Sequence, residues 1–358
     1  MIVLMRPLKS GVTVFEALFG TEGVGQFCSS ELQHKRLPTR SKRKSRVRKK
    51  KNQNEATKDE KGKKGEPSKM KKLQITEEQK TERKPRPKAS EVVTKWVMRA
   101  LDTGVEALRA EYRSLARYTL PEVTYEAFKA NHEAGRNRYQ DVPCQDQRRV
   151  VLTWPGAPCD YIHANYVGTP VSEKRFICTQ LFAYPFRGPL DGTIVEFWMM
   201  VLQEESQTIV MLCNCIETMR PMSPEEQTVI MSVLFVKYTK PDGSPDQREV
   251  RHYQWTDWPD RGVPPCKLTS MELLSRIRGT TKPIIVHCSA GIGRTGTIVA
   301  IEYILERMQA GVECAAMNDL LRELRNQRAY TIQNDLVSTS TYEAILTEEN
   351  QAKYKKIR

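Results

Sequence analysis

The stretch that most constrains this chain is Val286-His287-Cys288-Ser289-Ala290-Gly291-Ile292-Gly293-Arg294-Thr295-Gly296. Lys282-Pro283-Ile284-Ile285, just before it, ends in a β-branched run that reads as a buried strand. Thr297 to Leu305, just after it, is apolar and long enough for a buried helix. A cysteine therefore sits at a strand end, a Gly-rich turn follows, and a helix N-terminus carries an Arg and a Thr. Backbone N–H groups curled round such a turn form an anion-binding nest. The helix start adds unpaired N–H groups and the positive end of its dipole. Gly291 and Gly293 let the backbone close on a ligand. Arg294 offers a planar fork to two phosphate oxygens at once. Such a field is expected to favour the thiolate form of a thiol at its centre. The competing reading is a buried structural cysteine beside an ordinary turn. The combined spacing of Cys288, two glycines and Arg294-Thr295 argues for a thiolate aimed at a bound phosphate.

The 358 residues carry a net charge of +14, unevenly placed. Residues 35–90 hold 23 basic and 7 acidic side chains, so the rest of the chain is near neutral. That distribution does not suggest a nucleic-acid enzyme with a basic catalytic face. The nine cysteines are scattered, with no CxxC pair. This speaks against a zinc site and against a secreted disulfide scaffold, and fits a reducing compartment. No apolar window is long enough for a membrane span. The apolar start, Met1 to Met5, is cut short by Arg6 and Pro7 and does not read as a signal peptide.

Residues 1–34 are weakly patterned, with a short helix conceivable over Val12 to Phe19. Residues 35–90 are rich in Lys, Arg, Glu, Ser and Pro and cannot bury enough surface to offset their conformational entropy, so they read as disordered. The block from Lys42 to Lys51 has three readings: a solvated tail, a nuclear-import or nucleic-acid patch, or an anchor for an anionic surface. A folded domain is expected over 91–348, with 349–358 as a tail. Val92, Val93, Trp96, Val97, Leu101, Val105, Leu108 and Tyr112 recur at helical spacing and read as a packing helix. Two clusters, 137–143 and 160–166, look loop-like. Strands are expected at 176–180, 208–213, 229–238 and 250–255. Helices are expected at 192–204, 297–309, 315–327 and 333–347. Strands mixed with helices, and a phosphate-type loop from strand to helix, indicate an α/β domain.

A thiolate that displaces an alkoxide or phenoxide from phosphorus needs an acid to protonate the leaving oxygen. The candidate lies in Trp255-Thr256-Asp257-Trp258-Pro259-Asp260-Arg261-Gly262, a carboxylate in a Pro/Gly-bounded loop with large aromatic anchors. Asp260 is the first choice and Asp257 its rival by type.

With these residues in place, the chain resembles the protein tyrosine phosphatases of the cysteine-based, tyrosine-specific, non-receptor-like class. His287 to Gly296 matches that family's signature loop, and Trp258-Pro259-Asp260 its mobile acid loop. Asn137-Arg138-Tyr139-Gln140-Asp141 resembles its phosphotyrosine-recognition loop, with Arg136 where a Lys is usual. Asp160 to Asn165 resembles its DYINAS strand. Phe197 to Val201 and Ile209 to Leu212 resemble two further segments. The resemblance implies a single domain with a highly twisted mixed β-sheet flanked by helices. It implies Cys288 as the nucleophile that forms a cysteinyl phosphate. Arg294 and the backbone N–H groups of Ser289, Ala290, Gly291, Ile292, Gly293 and Arg294 would hold the phosphoryl oxygens. Asp260 would act as acid and then as base, Gln333 would position water, and Thr295 would help sulfur leave. Tyr139 would stack on the substrate ring at a depth that selects phosphotyrosine, and Asp141 would accept hydrogen bonds from substrate backbone. Glu217 would orient Arg294. No metal or cofactor is called for, since the loop itself supplies the electrostatic stabilisation.

This chain departs from that family's pattern between Glu217 and Trp258, where a loop and a strand look deleted. Val337 stands where a second Gln is usual, and Leu181-Phe182 where Gly-Pro is usual. Two functions follow: a phosphatase acting on phosphotyrosine-containing proteins, or a phosphotyrosine-binding module that has lost turnover. Asp260 favours the enzyme, because a pure binder has no need of an acid. The location expected is cytoplasmic, with the basic block offering a route to the nucleus.

Overall fold

The computed structural model describes residues 16–18, 88–115, 118–181, 193–213, 228–266, 268–314, 316–339 and 341–346. The chain divides into one unit of Met1–Thr21 with Pro85–Arg358 and a second of Glu22–Lys84. The second unit, and with it almost all of the basic segment expected to be disordered, lies outside the described residues. So do Phe182, Glu217 and the tail after residue 346.

The described unit is an α/β domain built on one mixed sheet. Its strands are β1 (Glu16–Leu18), β2 (Arg149–Val151), β3 (Tyr161–Val167), β4 (Phe176–Thr179), β5 (Thr208–Met211), β6 (Val229–Thr239), β7 (Pro245–Trp255) and β8 (Ile284–His287). They lie in the order β1-β6-β7-β5-β8-β4-β3-β2. The four central strands, β7, β5, β8 and β4, are parallel. Their helices are α4 (Ile194–Gln203), between β4 and β5, and α5 (Leu268–Ile277), between β7 and β8. These two crossovers run in opposite directions along the sheet, so right-handed connections place their helices on opposite faces. The packing agrees. Ile177, Ile209 and Ile285 pack with Phe197 and Val201 of α4. Phe176, Val210, Ile284 and Val286 pack with Leu273 and Leu274 of α5. Both faces of the central strands are buried, which is why they read as unbroken apolar runs.

The second face also takes α1 (Ala89–Thr103), α2 (Val105–Ser114), α6 (Arg294–Gln309) and α7 (Met317–Arg325), while α3 (Glu126–Ala130) leads toward β2. Residues 335–339 and 341–346 are helical, close to the expected span. Helix α6 is almost wholly buried, so its acidic groups need partners. Arg278 donates three hydrogen bonds to Glu302, and Arg175 lies 3.3 Å from Glu306.

Three expectations are corrected. Residues 16–18 form a strand parallel to β6, not part of a helix over Val12 to Phe19. The cluster 160–166 is not a loop but strand β3, paired with β2 and β4. The one packing helix over 92–112 is two, because Gly104 sits at φ +72° and ends α1. The apolar stripe does not survive that break: Leu101 is 63% exposed and Val105 55%. Helix α3, five residues long, is too short to carry a periodic signal, whereas α5 is missing from the expected helices although Met271, Leu274 and Ile277 recur at helical spacing. Among the described residues, no helix is long and apolar enough to cross a membrane.

Burial sets the acid limit of this fold. His163 on β3 and His287 on β8 are both buried, and desolvation lowers each to about 3 from the ordinary 6.5. Between those values the unfolded chain binds a proton at each site that the folded chain does not. Their contribution is therefore fully present above pH 6.5 and is lost as pH falls, with a slope of about 2.7 kcal/mol per pH unit from the pair. Urea unfolding measured between pH 6.5 and 4.5 is expected to show this loss. His163→Gln, which keeps a donor for the Val142 carbonyl, is expected to remove about half of the pair's slope.

Candidate active site

Three loops meet at the carboxyl ends of the central parallel strands, the edge where open α/β sheets bind ligands. The cysteine loop, 288–293, links β8 to α6. The acid loop, 256–265, follows β7. The segment 136–143 precedes β2.

The cysteine loop is tied on both sides. The Leu181 amide donates to the Ser289 carbonyl at 3.1 Å, and the Leu212 amide to the His287 carbonyl at 2.8 Å. Gly291 turns the chain with φ +71°, and a Cβ there would lie 2.1 Å from the Thr179 carbonyl oxygen. No other residue fits that turn. The Gly291 amide points back at Cys288 Sγ, 3.3 Å away. Cys288, Ser289 and Gly291 to Thr295 are buried, and Ala290 half-buried. A buried thiol facing an inward amide at the start of a 16-residue helix is the anion nest the sequence implied.

Arg294 opens α6 and is 3% exposed. Its Nη1 donates to the Trp258 carbonyl at 3.1 Å and its Nη2 to Asp260 Oδ1 at 3.0 Å. One guanidinium thus joins the cysteine loop to the acid loop. Asp260 itself is exposed on that loop. The rival Asp257 is engaged elsewhere, accepting from the indole N–H of Trp255. Trp258 anchors the loop beneath Asp260: it is buried, packs on Trp255 with ring centroids 4.7 Å apart, and donates to the Gly262 carbonyl at 3.1 Å. Thr295 is fully buried, and its hydroxyl has no hydrogen-bond partner among the described residues. His287 stays neutral, because burial, and then the charges of His252 and Arg294, oppose its protonation.

Tyr139 reaches the same place. Its hydroxyl lies 2.7 Å from Ser289 Oγ, so its ring forms a wall beside the cysteine loop. Gln180 holds this wall: its Oε1 accepts from the Arg138 amide at 2.9 Å and its Nε2 donates to the Arg136 carbonyl at 2.8 Å. Arg136 lies 3.7 Å from the buried Glu196 of α4. Asp141 is exposed on the same loop. Gln333 borders the cysteine loop from α7's side, with its Oε1 3.1 Å from where a Cβ on Gly293 would be. Val337 is buried, one turn beyond. Cys288, Arg294, Asp260, Tyr139, Thr295 and Gln333 are therefore brought together.

Two supports escaped the sequence reading. Arg328, 1% exposed, donates to the Gly291 carbonyl at 2.6 Å, the Ala290 carbonyl at 3.3 Å and Asn165 Oδ1 at 2.9 Å. It braces the outside of the turn whose inside faces the ligand. Gln180 is the second. A signal for Arg328 exists: the α7 stripe of Leu321 and Leu324 continues at helical spacing to Arg325 and Arg328. Arginines on an apolar stripe must find buried acceptors.

A buried thiol met by an inward amide, with a buried guanidinium joined to a carboxylate on the neighbouring loop, is an arrangement suited to binding an anion. The protein-tyrosine phosphatase family model matches residues 133–225 and 220–347. The chain belongs to the protein-tyrosine phosphatase family. It is 35% identical over 254 residues to the tyrosine-protein phosphatase Lar-like of Caenorhabditis elegans, covering 63% of this chain and 11% of that protein. It is 32% identical over 248 residues to the receptor-type tyrosine-protein phosphatase F of Mus musculus, covering 62% and 13%. The chain thus spans only a small part of the length of these relatives. The solved structure described as the basis of the PTPN18 fingerprint on distinct HER2 tyrosine phosphorylation sites superposes with a TM-score of 0.59 at 23% identity. It covers 72% of this chain and 99% of that one, and shares the fold.

The turn at Gly291 gives a direct test. Gly291→Ala is expected to fold but to push the loop off its nest. Inorganic phosphate at 100 times its Kd would stabilise the unaltered protein by about 2.7 kcal/mol. Thermal unfolding of the variant is expected to show none of that shift.

Proposed function

We propose that this protein hydrolyses phosphotyrosine in proteins through a cysteinyl-phosphate intermediate. The observation that carries the reading is the joint placement of Cys288, Arg294 and Asp260, with one guanidinium bridging the thiol loop and the acid loop. Family membership supports it.

Phosphotyrosine enters beside Tyr139, and its phosphate carries about −1.5 to −2 charge. The inward amides of the 289–294 loop and the Arg294 fork neutralise that charge without a metal. The Cys288 thiolate attacks phosphorus, forming the S–P bond as the P–O bond to tyrosine breaks. Asp260 delivers its proton to the departing phenolic oxygen. In the second step a water beside Gln333 attacks phosphorus, Asp260 takes its proton, and the S–P bond breaks. The Thr295 hydroxyl, buried without another partner among the described residues, donates to the returning thiolate. Tyr139 stands beside the cysteine loop, where its ring can stack on the substrate's phenyl ring and so favour phosphotyrosine over the shorter phosphoserine, as the family resemblance implies. Asp141, exposed on the rim, is placed to accept from substrate backbone amides.

Hydrolysis of p-nitrophenyl phosphate and of a phosphotyrosyl peptide is expected from the purified protein, and Cys288→Ser is expected to abolish both. Folded wild-type protein with no turnover would overturn the reading in favour of a binding module. Asp260→Ala is expected to lower kcat by ~10²–10⁴ while retaining peptide binding, as removal of a general acid does. Loss from Asp257→Ala instead would move the acid to that position.

A further inference from the structure

We propose that Tyr112, on α2, is a positioning residue for Gln333 and thereby sets how well water competes for the phosphorylated enzyme. The proposal rests on the cysteinyl-phosphate reading above.

Gln333 is exposed, so its aim depends on the backbone that carries it. The residue before it, Ile332, is fully buried and sits at φ +62°. A β-branched side chain avoids that left-handed region, and such a conformation persists only when its surroundings over-determine it. Here they do. The Ile332 amide donates to the Ile292 carbonyl of the cysteine loop at 2.9 Å. Its carbonyl accepts from the Tyr112 hydroxyl at 2.9 Å and from Arg325 Nη2 at 3.1 Å. Arg325, itself 2% exposed, also donates to the Thr331 carbonyl at 3.1 Å and to the Leu115 carbonyl. Burial pushes the Tyr112 phenol up, so it remains a protonated donor at neutral pH.

Ile332 is therefore held through its amide by the loop that carries Cys288, and through its carbonyl, which belongs to the peptide leading into Gln333, by Tyr112 of α2 and by Arg325. Tyr112 lies 220 positions from Ile332 in sequence and outside the span the family model matches. Its ring packs in the core with α6 and α7, which is ample reason for an aromatic residue there. Its hydroxyl has a separate task. It fixes the plane of the peptide that feeds the Gln333 side chain.

The second chemical step is where this shows. The cysteinyl phosphate is attacked by water or by an added alcohol. In either case an O–P bond forms, the S–P bond breaks, and the nucleophile's proton passes to Asp260. A fixed Gln333 amide favours water. Loosening it lets alcohol compete, while the first step, which releases the phenol, is untouched.

The experiment uses phenyl phosphate with ethylene glycol and measures the ratio of phenol to inorganic phosphate released. Tyr112→Phe removes one oxygen and keeps the ring. It is expected to raise the ratio by about two- to tenfold, the effect of one net hydrogen bond. Arg325→Lys, which thins the same set of donors, is expected to move it the same way, and Gln333→Ala at least as far. In the Gln333→Ala background, Tyr112→Phe is expected to leave the ratio unmoved. A Phe variant with the wild-type ratio, or one that slows phenol and phosphate release equally, would show a merely structural tyrosine and overturn the proposal. Absence of phenol release from the wild-type protein would instead overturn the phosphatase reading itself.

Discussion

A single buried cation organises the site. Arg294 is 3% exposed, and a guanidinium taken that far out of water needs acceptors on several sides. It finds the Trp258 carbonyl and the Asp260 carboxylate, both from the acid loop. The acid loop is also fixed by the buried Trp258 and by the Asn334 side chain, which donates to the Arg261 carbonyl at 3.1 Å, and Arg294 adds its link to the cysteine loop. The same residue opens α6, where the helix dipole and free amides also favour an anion. Binding phosphate and seating the acid are thus two uses of one charge.

That charge is useful only if the loop in front of it keeps its shape. The loop has an inside and an outside, and the two faces are satisfied differently. Inside, the amide of Gly291 points toward Cys288. The carbonyls of Ala290 and Gly291 must then point outward, and Arg328 meets both from a buried position. Arg328 also holds Asn165 of β3, so the turn is referred to the sheet. A buried arginine with three acceptors is stable because each donation is made. Removing it would leave carbonyls unpaired in the core, a costlier state than never having had them polar.

Much of this was legible in the sequence because it is local. The strand, the glycines, Arg294 and the helix are contiguous, and their spacing alone implies a nest. Asp260 is the first choice from the loop's own residues, with Asp257 its rival by type, and the two carboxylates have different partners in the structure: Asp260 reaches Arg294, and Asp257 accepts from Trp255. What could not be read is non-local or conformational. Gln180 reaches the 136–138 backbone, and nothing in Thr179-Gln180 announces that partner. The 160–166 cluster looked like a loop because His163 and Asn165 interrupt its apolar run. Both are buried, and each donates to a carbonyl, His163 to Val142 and Asn165 to Gln145. The break between α1 and α2 is one glycine in a pattern that otherwise continues, and periodicity does not register a change of φ.

The two N-terminal helices show how far the working unit extends beyond its most recognisable part. The family model begins at residue 133, yet Val92, Trp96, Val97, Ala100, Leu108 and Tyr112 complete the core around α6 and α7. Trp96 stacks on Tyr342 with ring centroids 5.0 Å apart. Arg109 and Arg113 pair with Asp335, two residues past Gln333. Without these helices the apolar side of α6 would face water, and Arg325 would lose the Leu115 carbonyl and the Tyr112 hydroxyl together. The segment bearing Gln333 is thus clamped between α2 and the cysteine loop. In packing terms the core begins in α1, and the left-handed backbone at Ile332 is held jointly by the cysteine loop, by Arg325 and by Tyr112 of α2.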